Sequence, residues 1–287
     1  MEMLMADFSA STSASSSAST SVSSSASTLA SKSRWRGRKL QGRSFFSIAL
    51  QRTCKQLLMV DALRYVIAYL RYVYFAKLLG RVRVFDTASA AVNKVTTSHN
   101  LQGLGGVAVI RSNQLLRPLS VLDPVHTRLE DLKVLSIGPR TEGEILNIWA
   151  HGFSLKNIRA LDLISYSPWI TLGDMHHMPY QDNLFDVVIS GWVIAYSEDK
   201  KKAAKEMVRV LRPGGLAAVG VAYYPPHKER LDVFGKPHVS QEKFIESADE
   251  ILSFFGNAVD KVYLHQDVID KKNPHEQNLL VIFSVKK

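Results

Sequence analysis

Residues 134–144 read VLSIGPRTEGE. The apolar Val134, Leu135 and Ile137 run into Gly138, and a polar turn containing Arg140, Thr141 and Gly143 precedes an apolar, helix-like stretch. A strand, a tight turn and a helix start, in that order, aim backbone N–H groups and a helix N-terminus at a nucleotide-type ligand. Acids follow at Asp162 and Asp174, each at the end of a predicted strand. Groups able to move a proton fall in the connections after the later strands: His176 and His177, then Tyr196, then Tyr223, Tyr224 and His227. A base serving a parallel sheet is expected in loops of that kind. His176-His177 reads as a polar turn, because adjacent side chains point apart and no third ligand is evident for a metal.

Positioning these residues takes an alternation of strands and helices, and from Lys133 onward the chain has that rhythm. VLSI (134–137) is a first strand and GEILNIWAHGF (143–153) a helix. NIRALDLI (157–164), WITLGD (169–174) and FDVVISGWVI (185–194) are the next three strands. Asp199 to Leu211 is an amphipathic helix with Ala203, Met207, Val208, Val210 and Leu211 on its apolar side, stopped by RPGG (212–215). GLAAVGVAYY (215–224) is a fifth strand and VSQEKFIESADEILSFFG (239–256) a helix. KVYLHQD (261–267) and NLLVIFSVKK (278–287) form a closing strand pair. Apolar strands alternating with helices imply an α/β, doubly wound, mostly parallel sheet covered on both faces.

The chain has 287 residues and a formal net charge of +10. Residues 1–83 contain 13 Lys/Arg and 3 Asp/Glu, whereas the remainder is balanced at 23 of each. The basic character therefore belongs to an N-terminal extension and says little about the substrate of the folded domain. Residues 1–44 are rich in Ser, Ala and Thr, then in Arg, and too poor in apolar side chains to fold. That composition fits an organelle transit peptide (plastid or mitochondrion), or else a plain flexible tail on an intracellular, cytoplasmic protein. Residues 45–83 are basic and amphipathic. From Leu57 to Leu79 the text is strongly apolar but interrupted by Asp61, Arg64, Arg71 and Lys77, which argues for a helix rather than a simple transmembrane span. Its tyrosines, Tyr65, Tyr69, Tyr72 and Tyr74, would suit a membrane interface; packing against the folded domain or another subunit is the favoured reading, being the commoner arrangement. Residues 84–132 read as a connecting segment, with LRPLSVLDP as loop text. The lone Cys54 rules out an intramolecular disulfide framework and a Cys-rich zinc site, and no metal site is expected.

The block GDMHHMPYQDNLFDVVISGWVIAYSEDKKKAAKEMVRVLRPGG resembles the class I S-adenosylmethionine-dependent methyltransferases, particularly the type 11 group. The linked features are Asp174-Met175, Pro179-Tyr180, Phe185-Asp186, Glu206, and the run Arg209 to Gly215. The resemblance covers roughly residues 130–287 and implies a methyltransferase domain (133–287) with a Rossmann-like sheet whose last strand is antiparallel. It implies S-adenosyl-L-methionine as cofactor. Gly138 would admit the ligand to the backbone. Asp162, on the order of 20 residues further on, would take the ribose diol. Asp174 would accept from the adenine amino group, with Met175 packed on the ring and Trp192 as a pocket wall. The first motif departs from the family pattern of a hydrophobic pair, an acid, then spaced glycines: Ser136 stands at the acid, Arg140 and Glu142 at the second and third glycines. In a working variant, Arg140 or Thr141 would bind the methionyl carboxylate, while Glu142 or Glu144 would bind the ammonium.

Methyl transfer is mainly a matter of positioning, so the resemblance names no catalytic base; His176, Tyr196 and His227 are the candidates. The expected acceptor is a small or lipid-like molecule; membrane-surface contact through residues 45–83 stays open beside packing on the domain. A non-catalytic methyltransferase-like binding protein is the alternative. Nucleic acid is not the expected partner: the KKKAAKE helix lacks interleaved aromatics, and no N/D-P-P-Y/F string occurs.

Overall fold

The computed structural model describes residues 45–86, 101, 104, 112–223, 245–270 and 277–287. Expectations for residues 1–44, and for Tyr224 and His227, lie outside the described residues.

Seven strands form the main sheet, in the order β5-β3-β2-β6-β7-β9-β8. They are β2 (Val134–Ile137), β3 (Ile158–Asp162), β5 (Ile170–Leu172), β6 (Phe185–Gly191), β7 (Leu211–Tyr223), β8 (Val259–Gln266) and β9 (Gln277–Val285). β2, β3, β5, β6 and β7 pair in parallel, and β9 runs antiparallel to both β7 and β8. The mostly parallel sheet and the antiparallel final strand are as the sequence implied. From β2 the chain builds outward through β3 to β5, then crosses back to β6 on the other side of β2. The strand order thus reverses between β2 and β6, and a reversal of this kind opens a crevice at the carboxyl ends of the strands.

The central strands are buried on both faces, so they read as continuous apolar runs rather than alternating ones. One face packs on α6 (Lys200–Val210) and α7 (Ala248–Phe255) through Ala203, Met207, Ile251 and Phe255. The other face packs on α3 (Asn113–Val121) and α5 (Glu142–Ala150) through Leu115, Leu119, Ile145 and Ile148. Asp199 caps α6, its carboxylate accepting from the Lys202 N–H at 2.9 Å.

Three expectations need correction. The loop text of the connecting segment is the helix α3, followed by the short α4 (Asp123–His126). Pro118 removes one N–H from α3, but Leu115, Leu116 and Leu119 are fully buried, and tertiary burial outweighs the local signal. The single helix expected over 57–79 is two, α1 (Phe45–Leu58) and α2 (Asp61–Tyr72), the second continuing into a π-helical turn at Val73–Leu78. Arg64 makes the break: its buried guanidinium donates to the Leu58 carbonyl at 2.6 Å and pairs with Asp61. The second predicted strand divides after Asp162, and the detached β4 (Ile164–Ser165) pairs with β1 (Arg83–Val84). There the Asp162 side chain accepts from the Ile164 N–H, turning the backbone out of the sheet.

α1 and α2 lie against α5. Leu58 and Ala68 pack with Leu146 and Ala150, and Lys55 bridges to Glu130 and to the Gly152 carbonyl, both at 3.0 Å.

Candidate functional site

The crevice is built from the turns that follow β2, β3 and β6. Gly138 has φ +66°, and a Cβ there would lie 2.3 Å from a Val193 methyl group. Only glycine meets both demands. The close approach that sequence reasoning reserved for a ligand is made by Val193, which joins the turn after β2 to the turn after β6. Downstream, Arg140 takes the left-handed conformation, φ +53°, uncommon for a residue with a side chain. It is held there by Asp162, whose Oδ2 accepts the Arg140 N–H at 3.0 Å. The Gly138 N–H donates to the Leu161 carbonyl at 2.7 Å, so the end of β3 supports the whole turn.

Four of the sequence candidates, Ser136, Gly138, Arg140 and Asp162, are thus brought together, and a fifth residue joins them. Glu144, in the first turn of α5, accepts a hydrogen bond from Ser136 Oγ at 2.5 Å. Glu144 thus places a carboxyl group beside Ser136, the position at which the family pattern has an acid. Its side chain is half-buried, and burial pushes its pKa up to about 7. Ser136 works against that shift, nearby Asp162 adds to it and Arg140 opposes it. Burial also raises the pKa of Asp162, while the N–H groups of Arg140 and Ile164 oppose it. Two carboxyl groups and one guanidinium share this corner. Thr141 precedes α5 without capping it through its side chain. Glu142, weighed with Glu144 as an ammonium ligand, is fully buried and committed to Arg71 and Ser167.

The turn after β5 is organised differently. Asp174 Oδ1 accepts from the His176 N–H at 2.9 Å and lies 2.6 Å from His176 Nδ1, while His176 Nε2 lies 2.6 Å from Ser197 Oγ. An acid, an imidazole and a hydroxyl in sequence suggest nucleophile activation. Here, however, Ser197 is 3% exposed and its N–H is bonded to the Ile194 carbonyl, so no substrate reaches the hydroxyl. The chain of bonds is a strut between the turns after β5 and β6. His176 is therefore corrected from candidate base to support, since both of its ring nitrogens are engaged. Hydrogen bonds from His176 hold the Asp174 carboxyl below its ordinary value, although burial acts in the opposite sense as the largest single influence.

Met175 is buried in the core beside Leu161 and Met178 rather than presented as an open ring platform. Trp192 also departs from its expected place. It takes φ +57°, its N–H donates to the Gly220 carbonyl at 2.7 Å, and its indole donates to Asn278 at 3.0 Å. Those contacts set it against β7 and β9. Tyr196 is half-buried in the 3-10 turn Ile194–Tyr196 after β6.

The family block has a structural use that sequence reasoning left open. Arg209 donates to both Glu206 oxygens and to the carbonyls of Met178 and Tyr180, and Glu206 accepts the Met178 N–H at 2.9 Å. Together they fasten the loop between β5 and β6. Asp186 accepts the Lys133 N–H at 2.7 Å at the opposite, amino-terminal edge of the sheet.

A family model described as a methyltransferase domain matches residues 147–219, from within α5 to within β7. A demethylmenaquinone methyltransferase of Lactiplantibacillus plantarum is 41% identical over 46 residues, 16% of this chain and 19% of the relative. A ubiquinone/menaquinone biosynthesis C-methyltransferase of Haemophilus ducreyi is 38% identical over 61 residues, 21% of this chain and 22% of the relative. A malonyl-acyl-carrier-protein O-methyltransferase of Halorhodospira halophila is 29% identical over 133 residues, 42% of this chain and 43% of the relative. The matches to these curated relatives span less than half of their length. Among solved structures, the Burkholderia thailandensis 1,6-didemethyltoxoflavin-N1-methyltransferase aligns over 72% of this chain and 95% of its own, at 15% identity and TM-score 0.48. The matched segment begins just after the turn in which Ser136 and Glu144 are hydrogen-bonded to each other.

Proposed function

We propose that the protein is an S-adenosylmethionine-dependent methyltransferase acting on a small-molecule or lipid-like acceptor. One observation carries the reading: the family match at 147–219 takes in β3, β5 and β6, and the turn just ahead of it brings Ser136, Gly138, Arg140 and Glu144 to the end of β3 at Asp162. The donor set fits the cofactor. Arg140 suits its carboxylate, Glu144 its ammonium and Asp162 its ribose hydroxyls. Ser190, the residue of β6 that pairs with Ile137 of β2, is fully buried and its Oγ has no hydrogen-bond partner.

When bound, the cofactor supplies a methyl group on a sulfonium, transferred by in-line displacement. The chain's own task is to orient cofactor and acceptor on one axis. Tyr196 is the described candidate for holding an acceptor's proton. Glu144 must be ionised to pair with an ammonium, so its pKa of about 7 makes binding pH-dependent. Calorimetric titration of the full chain with S-adenosylhomocysteine tests the reading. Binding, strengthened from pH 6 to 8 with a proton released, is expected; absence of heat and of thermal stabilisation on folded protein would refute it. At 100 times the dissociation constant the stabilisation should be roughly 2.7 kcal/mol.

The lipid-like acceptor draws on a second observation. Among the described residues, most of the exposed large apolar side chains fall between Leu50 and Val84, including Leu57, Val66, Tyr69, Leu70 and Leu78. Exposed Arg52, Lys77, Arg81 and Arg83 lie among them. No described helix is long and apolar enough to cross a membrane. An apolar face rimmed with cations suits an anionic lipid surface, and two of the matched relatives are named for menaquinone-type substrates. Flotation with anionic vesicles, lost on Leu70→Glu/Leu78→Glu, is the expected result. Equal recovery of both proteins would remove the membrane from the proposal.

A further inference from the structure

Arg71 lies on α2, far from every motif in the sequence, yet its side chain ends at the cofactor turn. Its Nε and Nη2 donate to the two oxygens of Glu142, the Nη2–Oε1 distance being 2.9 Å. The guanidinium lies 3.8 Å from the Trp169 ring centroid and 5.1 Å from that of Phe75. Glu142 has no exposed side-chain surface. Ser167 Oγ donates to the same carboxylate, and the Glu142 N–H donates to the Tyr166 hydroxyl at 3.0 Å. Tyr166 in turn meets Tyr72 of α2 edge-on at 5.5 Å. Two residues of α2 therefore hold, directly or through one neighbour, the first residue of α5.

That residue follows Arg140 and Thr141. A non-glycine residue at φ +53° persists only where its surroundings fix it. The upstream anchors are the bonds to Leu161 and Asp162 already described. The downstream anchor is Glu142, and its carboxylate tolerates full burial because Arg71 supplies the opposite charge. We infer that Arg71 is a positioning residue for the cofactor turn: through Glu142, α2 sets the conformation of residues 138–144 and hence the affinity for the methionyl end of the cofactor. The N-terminal helical layer becomes a working part of the site, and a partner that displaces α2 displaces the turn. This rests on the cofactor reading proposed above.

The test uses the full chain and two readouts, hydrogen exchange without ligand and calorimetric affinity for S-adenosylhomocysteine. Arg71→Met should lose protection in 138–144 while β6 and β7 keep theirs, and should bind at least about tenfold more weakly. Arg71→Lys, which keeps the charge but not the fork, should recover part of both. A lowered melting temperature with wild-type turn protection and affinity would mean that Arg71 merely fastens α2, and would overturn the inference. Should the wild type itself give no binding heat, the cofactor reading fails, and the exchange data alone still decide whether Arg71 orders the turn. If Arg71→Met does not fold, Glu142→Gln keeps the shape and removes the ion pair; unchanged readouts there would equally overturn the inference.

Discussion

The turns after β2 and after β5 both bring buried acids to the carboxyl edge of one sheet, but they treat them in opposite ways. After β5, the hydrogen bonds of Asp174 run to His176 and on to Ser197, and Arg209 clamps the rest of the loop to α6. The Asp174 carboxyl is held below its ordinary value, as a satisfied carboxylate is. After β2, the pKa values of Glu144 and Asp162 are raised by burial, and only one cation, Arg140, stands among the opposing influences. The turn after β5 is closed on itself, and the turn after β2 stores unfavourable electrostatics that a cationic ligand would relieve. Perturbed groups of this kind gather at functional sites. The difference therefore separates scaffold from binding surface better than residue type does, since both turns offer acids.

The largest effect that could break this comparison is expected at Gly138. Gly138→Ala forces a methyl group into Val193 at a left-handed φ, and should cost about 4 kcal/mol of stability in denaturant unfolding. Val193→Ala in the same background should return part of that loss by removing the contact but not the backbone strain. Near-neutral behaviour of Gly138→Ala would mean that the turn is not the tight element described here.

Glu144 sharpens the comparison through pH. Its pKa is about 7 in the folded chain against an ordinary 4.5, so the folded state binds the extra proton between those values. Its contribution to stability is therefore intact below pH 4.5 and is lost as pH rises through 7. The ligand-free protein should lose about 3 kcal/mol across that window, and Glu144→Gln should flatten the profile. Asp162, shifted in the same direction, contributes with the same sign. Parallel profiles for wild type and Glu144→Gln would place the raised group elsewhere.

The turn after β5 should respond to mutation without that pH signature. Arg209→Ala releases two loop carbonyls and Glu206, and should cost about 2 kcal/mol, discounted because the guanidinium is partly exposed. Its effect on S-adenosylhomocysteine affinity should be smaller than that of Glu144→Gln, measured on the same titration. Ser197→Ala leaves His176 with one partner fewer and should cost about 1 kcal/mol, read as a shift in the unfolding midpoint. A larger loss of affinity at Ser197 than at Glu144 would reverse the assignment of scaffold and site.

Much of the fold was written locally. Strands β2, β3, β6, β7 and β9 are apolar runs bounded by glycine, proline or polar text, and buried parallel strands have that appearance whatever surrounds them. Asp162 and Asp174 were legible as strand-end acids for the same reason, and the α6 helix was legible from its apolar stripe and its RPGG stop. Position 136 showed an acid missing, but not where the replacement comes from. Glu144 was distinguishable from Glu142 only by direction: the two are neighbours but one on the first turn of α5, and a helix sends residues two apart to different sides. Trp192 and Met175 had suitable types for a pocket wall, yet backbone conformation at the first and core packing at the second turned them elsewhere.

Sequence alone determined that residues 133–287 form an α/β sheet with a family block at its centre, because periodicity and turn chemistry act over a few residues at a time. Tertiary structure alone decided which acids are paired and which are left charged or protonated. Arg71 reaches Glu142, and His176 reaches Ser197, across separations that no local pattern encodes. Burial then sets the cost of each unpaired charge. The electrostatics of the turn after β2 follow from that pairing, and α2 takes part in it through Arg71.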